Sequence, residues 1–402
     1  MRPRVVALAF TCRPDAGSEY EVGWRWSQAA GQAGDVLTLT RRQCYDVLPA
    51  APTVSEHFGE VKRIGDACYK AVDLPGSPRL FVGRRLMRTH YLIWQVLVLL
   101  WVRRHRQNFD FAHHICFVSA WFPPMVAAAG LPYIWGPVGA SAGLPSWARK
   151  GLKASVWNLV TQTITRLNPL VKLAARRAML VVPINKHVSD LIGAQAARQV
   201  AVRPSIALDL LASGQALASH KPLERATIVC STRNVPIKLP SLCYVACEAL
   251  ARRHPQVTVK IFGDEVDRLF TSTLPNFKIG GALVQDQFFV ELQQAQVLLF
   301  PTLEGSGFVA LEALARGLPI VCLQGSGPAD FVGGVAGMAV AVGHDELSTA
   351  AGLVDACERL LGDASAWQQC SSAAAQRAHL YTWAALDVFL KEAYGSVAKA
   401  LA

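Results

Sequence analysis

The sequence predicts an α/β protein built of two doubly wound, Rossmann-like domains, and three observations carry that expectation. The chain has 402 residues, which suits two domains of about 200 better than one. Short runs of branched apolar residues recur in both halves and are followed by glycine-bearing turns and helix-forming stretches, the pattern of buried parallel strands with crossover helices. Charge divides with the halves: residues 1–210 carry 26 Lys and Arg against 12 Asp and Glu, a balance of +14, and residues 211–402 carry 14 against 17, a balance of −3.

Taken in order, RVVALAFT at 4–11 makes a first strand, and a loop containing Gly17 leads into a helix, the opening of a Rossmann-like unit without the full Gly-x-Gly-x-x-Gly. The longest strongly apolar stretch, Tyr91 to Val102, has twelve residues, whereas a bilayer span needs about twenty. Flanked by Arg84-Arg85 and Arg103-Arg104, it reads as a buried helix in preference to one lying on a membrane surface. A strand ends at His113-His114 and another runs through Leu131 to Pro137. Basic amphipathic helices are expected between Trp147 and Met179, interrupted at Asn168-Pro169, and Leu180 to Ile184 is again a strand. A polar hinge, Ser205 to Pro222, precedes a second series that begins at Ala226 to Cys230. The domains are therefore set at 1–205 and 206–380, with a closing helix at 381–402.

A basic first half implies an anionic partner. No zinc-type Cys/His spacing or nucleic-acid fingerprint accompanies it, so an anionic membrane or a phosphorylated lipid is favoured over nucleic acid. The ten cysteines are scattered, several within apolar runs, as in proteins of a reducing cytoplasm. The apolar stretch at the amino terminus is too short for a signal peptide.

The densest signal is PTLEGSGFVALEALARGLP at 301–319, where Glu304 and Glu312 stand eight residues apart. The preceding Val297 to Phe300 reads as a strand. Gly305, Ser306 and Gly307 would form the turn, and their amides with that of Phe308 would meet an anion at the start of the following helix. Glu312 is expected about two turns into that helix, roughly 12 Å along its axis. Two carboxylates so placed can grip hydroxyls at two points of an extended ligand whose phosphates rest on the loop. The plainer alternative makes Glu304 a helix cap and Glu312 a solvated residue, but the apolar neighbours Leu311, Ala313, Leu314 and Ala315 are an uncommon setting for an unused charge.

This segment resembles the Glu-x7-Glu signature of the family-4 retaining glycosyltransferases, which have the GT-B fold of two Rossmann-like domains facing a central cleft. The resemblance implies that Glu304 faces the donor sugar, that Glu312 holds the nucleotide ribose, and that the closing helix crosses back to the first domain. The run from Arg233 to Lys238 resembles the family's Arg-x4-Lys diphosphate clamp; the family generally has Gly after this Lys, where Leu239 stands here. No Asp-x-Asp is present, so fixed cations in place of a metal are expected to neutralise the leaving diphosphate, with no cofactor. Gly17-Ser18-Glu19 and GPVGAS at 136–141 resemble a subgroup concerned with bacterial surface polysaccharides. By that resemblance Gly17 touches the donor phosphates and Gly139 lines the acceptor side, while Glu19 either faces the acceptor or caps its own helix. His113 and His114 stand where the family has a histidine beside the donor sugar; strand alternation turns one inward, and His113 is favoured.

The expectation is thus a metal-independent, retaining glycosyltransferase using a nucleoside-diphosphate sugar and a lipid-linked saccharide acceptor at the inner face of the cell membrane. The alternatives are a GT-B sugar-nucleotide epimerase, for which no further acid/base residues are evident, and a non-catalytic basic protein of membrane surfaces or nucleic acid.

Overall fold

The computed structural model describes residues 2–402 apart from 15, 17, 52, 57, 78–85, 141–142, 150–155, 157–159, 161–162, 164 and 210–216. The chain divides into two compact units, one of Met1–Ala140, Ile164–Ser205 and Trp383–Ala402, the other of Ser141–Thr163 and Ile206–Thr382. The segment 141–163, read from the sequence as part of the first domain, thus clusters with the second unit; there the Trp147 indole N–H donates to the Gly343 carbonyl at 3.3 Å.

In the first unit the strands are β1 (Arg4–Ala9), β2 (Asp35–Thr40), β3 (Thr53–Glu56), β4 (Gly59–Ile64), β5 (Ala67–Ala71), β6 (Phe111–Cys116), β7 (Tyr133–Val138) and β8 (Leu180–Pro183). They form one sheet in the order β3-β4-β5-β2-β1-β6-β7-β8. The β3–β4 and β4–β5 pairs are antiparallel, the rest parallel. Both faces of β1 are covered, and Val5, Val6, Ala7 and Ala9 have no exposed surface, which is why this strand reads as an unbroken apolar run. Helix Ser18–Ala33 packs close against the end of β1: a Cβ on Gly23 would stand 1.8 Å from the Thr11 carbonyl oxygen, so only glycine fits.

Helix Met87–His105 buries Tyr91, Trp94, Val98 and Val102 along one stripe while Leu92, Val96 and Leu100 remain exposed. The apolar run at 91–102 is therefore half core and half surface, because a 3.6-residue period turns its remaining apolar residues outward. Each of the buried side chains contributes about 1.5–3 kcal/mol. The closing helix Trp383–Leu401 lies on the first unit, burying Leu386, Leu390, Tyr394 and Val397.

In the second unit β9 (Thr227–Ser231), β10 (Thr258–Phe262), β11 (Phe277–Gly280), β12 (Val297–Phe300), β13 (Ile320–Leu323) and β14 (Gly337–Val340) make a parallel sheet in the order β11-β10-β9-β12-β13-β14. The chain runs outward from β9 through β10 to β11, then returns to place β12 on the other side of β9. The loops leaving β9 and β12 therefore flank the reversal point, where ligands of doubly wound sheets collect. By the same rule the first sheet has its reversal between β1 and β6.

Candidate functional site

The loops after β9 and β12 carry the residues that the sequence singled out in the second half, and backbone hydrogen bonds stitch the two loops together. The Ile237 carbonyl accepts from the Leu303 N–H at 3.0 Å and from the Thr302 hydroxyl at 3.1 Å. Across this seam the Lys238 ammonium pairs with the Glu304 carboxylate. Lys238 also lies over the Phe300 ring, 5.1 Å from its centroid. Burial pushes the Glu304 carboxyl up, and the charges of Lys238 and Arg233 oppose that shift. Arg233 itself is exposed.

Two polar atoms in this loop are buried and unpartnered: Glu304 Oε1 and the Ser306 hydroxyl. Leaving such groups unsatisfied costs about 1–3 kcal/mol each, so the loop is built for something that supplies partners. Gly307 lets the Glu304 carboxylate come close to the backbone. A Cβ on it would stand 2.7 Å from Glu304 Oε1, and its φ of −177° is ordinary extended backbone. The Glu304 carbonyl accepts from the Gly327 N–H at 2.9 Å, which fixes the back of the loop.

The helix begins at Phe308 and ends at Ala315. Glu312 is thus its fifth residue, little more than one turn in and not two; Glu304 to Gly307 precede the helix, and Gly307 takes the N-cap position without a side-chain cap. Glu304 does not cap this helix. Burial also pushes the Glu312 carboxyl up, offset by a hydrogen bond from the Gln285 amide, 3.4 Å away, and by the Arg316 charge. Arg316 was not anticipated. It is buried, lies 3.9 Å over the Phe289 ring centroid, and donates from Nη1 to the Glu312 carbonyl at 2.8 Å. Its spacing of four from Glu312 was the available signal.

Leu239, where the resembling family has glycine, adopts φ +46° and ψ +55°. A left-handed leucine is strained by about 1–3 kcal/mol. Its side chain is 4% exposed, and burial of a leucine recovers a comparable amount. The turn that starts helix Pro240–Arg253 is therefore kept by a different residue, and Lys238 stays on the loop facing Glu304.

In the first unit, Glu19 lies in the first turn of helix Ser18–Ala33, accepts a hydrogen bond from the Val118 N–H, and is pushed by burial up to about 7. Gly139 is beside it in the fold: a Cβ there would stand 3.1 Å from the Val118 carbonyl oxygen. Both are at the carboxyl edge of the sheet. Gly17 lies outside the described residues.

The two histidines are placed differently from the expectation. His113 is fully buried; its Nε2–H donates to the Gly136 carbonyl at 2.7 Å and its Nδ1 accepts from the Tyr394 hydroxyl at 2.8 Å. His114 is buried on the opposite face, 3.0 Å from the Tyr91 hydroxyl through Nε2. Burial pushes His113 down to about 4 and His114 down to about 3, so both are neutral near pH 7. Strand alternation does send them to opposite faces, but each face is covered by a helix, and no ring nitrogen of His113 remains for a sugar.

Residues 225–363 match the family described as glycosyl transferases group 1. D-inositol 3-phosphate glycosyltransferase of Corynebacterium diphtheriae is 40% identical over 108 residues, 26% of this chain and 24% of that protein. Sucrose-phosphate synthase of Zea mays is 34% identical over 88 residues, 22% of this chain and 8% of that protein. The match thus spans a quarter or less of the length of these curated relatives. Among solved structures, sucrose-phosphate synthase from Thermosynechococcus elongatus aligns with a TM-score of 0.63 at 15% identity, covering 99% of this chain and 100% of that one. An Anabaena protein solved with UDP and glucose aligns with a TM-score of 0.54 at 16% identity, covering 98% and 100%. The fold is that of GT-B glycosyltransferases, as the sequence predicted, and the match to glycosyl transferases group 1 lies within the second unit.

Proposed function

We propose that this protein is a retaining glycosyltransferase that moves a sugar from a nucleoside diphosphate to an acceptor without a metal. The observation that carries the reading is the Lys238–Glu304 pair at the reversal point of the second sheet, with Glu304 Oε1 and Ser306 Oγ buried and unpartnered beside it. In this reading Lys238 and Arg233 take the diphosphate charge, with Gly305 to Phe308 offering backbone amides. Glu304 faces the sugar and Glu312 the ribose. The bond between the anomeric carbon and the β-phosphate oxygen breaks, the acceptor hydroxyl bonds to that carbon on the same face, and its proton passes to the departing phosphate. Glu19 and Gly139 belong to the acceptor side in the first unit. Because a ligand that binds only the folded state raises its melting temperature, a thermal-shift screen with UDP, GDP, ADP and their sugars should find one base that stabilises the protein. No shift with any of them would overturn the reading.

For the acceptor we favour a saccharide linked to lipid phosphate, made for bacterial surface polysaccharide at the inner face of the cell membrane. Its support is the first unit's surface. Leu92, Val96 and Leu100 are exposed on helix Met87–His105 beside Arg88, Arg103 and Arg104, and Leu170 and Leu173 on helix Pro169–Arg177 beside Lys172 and Arg176. Among the described residues no helix is long and apolar enough to cross a membrane, so the contact would be peripheral. Each basic side chain at an anionic surface contributes about 1 kcal/mol. Binding in liposome flotation should rise with anionic lipid content and fall with salt; no binding to strongly anionic vesicles at low salt would exclude the membrane part. The name of one relative, D-inositol 3-phosphate glycosyltransferase, favours a second acceptor, a small phosphorylated polyol. Both acceptors carry a phosphate.

A further inference from the structure

Arg41 follows β2 directly and is only 6% exposed. Buried arginines are ordinarily paired with a carboxylate, yet among the described residues none lies within ion-pair distance of this one. Its Nε donates to the Cys44 sulfur at 3.4 Å and its Nη2 to the Tyr20 hydroxyl at 2.6 Å, both neutral acceptors. The guanidinium lies against two rings, 4.7 Å from the Phe10 centroid and 5.5 Å from that of Tyr20. Asp73, the acid after β5, is occupied elsewhere: it pairs with His90 Nε2 at 2.7 Å and accepts the Arg42 N–H at 3.0 Å and the Leu74 N–H at 2.9 Å. These contacts orient the fork, and Nη1 has no hydrogen-bond partner among the described residues.

A second cation converges on the same place. The Arg13 guanidinium lies over the Tyr20 ring, 5.9 Å from its centroid, so Tyr20 carries two arginines. Phe10 follows β1, Arg41 follows β2, and Tyr20 is next to Glu19 in the first turn of helix Ser18–Ala33. All of them sit at the carboxyl edge of the first sheet, the edge that holds Glu19 and Gly139.

The geometry points to an anion subsite at Arg41 that takes the phosphate group of the acceptor, with Arg13 as a second positive charge. This inference rests on the reading of the first unit as acceptor-binding. A planar fork held by hydrogen bonds to Cys44 and Tyr20 and packed on the Phe10 ring suits two oxygens of a phosphate monoester or diester. Glu19 would then stand beside the hydroxyl to be glycosylated, and the distance from phosphate to hydroxyl would select the acceptor.

Calorimetric titration of the full chain with inorganic phosphate, at constant ionic strength in chloride, tests this. The nucleoside diphosphate identified by the thermal-shift screen is present at saturation, so that the donor site cannot contribute. Wild-type protein should bind phosphate, Arg41→Gln should bind it at least tenfold more weakly, and both should bind the nucleotide equally. Arg41→Lys keeps the charge without the fork and should weaken phosphate by several-fold, which covers the case in which the glutamine variant fails to fold. Glucose 6-phosphate and a detergent-solubilised polyprenyl phosphate then distinguish the sources: whichever competes with phosphate in an Arg41-dependent way is of the acceptor's class. Absence of phosphate binding by the wild type with nucleotide at saturation, or phosphate binding that is unchanged in both Arg41 variants, would overturn the subsite while leaving donor binding intact. Loss of nucleotide binding by the wild type would instead strike the functional reading itself.

Discussion

Replacing Lys238 with alanine should lower the rate of sugar transfer by about 10²- to 10³-fold, the loss that follows removal of one preorganised positive donor from a developing anion. Two effects could produce such a loss, because Lys238 is also the cation that offsets the burial of Glu304. With it gone, the Glu304 carboxyl is pushed further up. The double variant Lys238→Ala with Glu304→Gln separates the two. If the lost charge is what matters, neutralising Glu304 restores nothing, and Mg²⁺ or Mn²⁺ restores nothing either. Steady-state rates with the donor that passes the thermal-shift screen measure this. Recovery with a divalent metal, or a wild-type rate abolished by EDTA, would mean that a metal carries the diphosphate charge and that Lys238 serves only to hold the loop.

The residues of this loop pair were legible because they are local. Val297 to Phe300 reads as a strand and is one, and the glycines after it mark the turn where the Glu304 carboxyl comes close to the backbone. What the sequence concealed is set by residues far along the chain. His113 and His114 look like a reactive pair until their partners are known, and Tyr394 and Tyr91 are helix residues, one of them 281 positions away. Arg41 looks like any surface arginine, since neither its burial nor the rings of Phe10 and Tyr20 around it can be read from its neighbours. The antiparallel strands β3 to β5 were also not anticipated: KRI and CYKA alternate too weakly between polar and apolar to mark strands on the edge side of a sheet. The position of Glu312 was off by nearly a turn because the sequence marks the glycines but does not say which of them is the last extended residue.

Glu312→Ala should weaken binding of the nucleoside diphosphate by about 1.5–3 kcal/mol, the worth of a hydrogen bond to a charged group, or roughly 10- to 150-fold in Kd. The carboxylate is held from one side by the Gln285 amide, and its helix turn is held by the Arg316 guanidinium on the Glu312 carbonyl. It therefore enters binding already oriented. Burial pushes its pKa up, and the ionised form is the stronger acceptor for ribose hydroxyls. Affinity should accordingly be full above that raised pKa and fall as the pH drops through it, beginning at a higher pH than an ordinary glutamate would dictate. Glu312→Gln keeps the shape and one acceptor oxygen, so it should lose less affinity than alanine and should lack the pH dependence. Calorimetric titration across pH with wild type and both variants reads all three expectations. Equal affinity in the alanine variant would remove Glu312 from the ribose and return it to the role of a helix residue whose charge serves only Arg316.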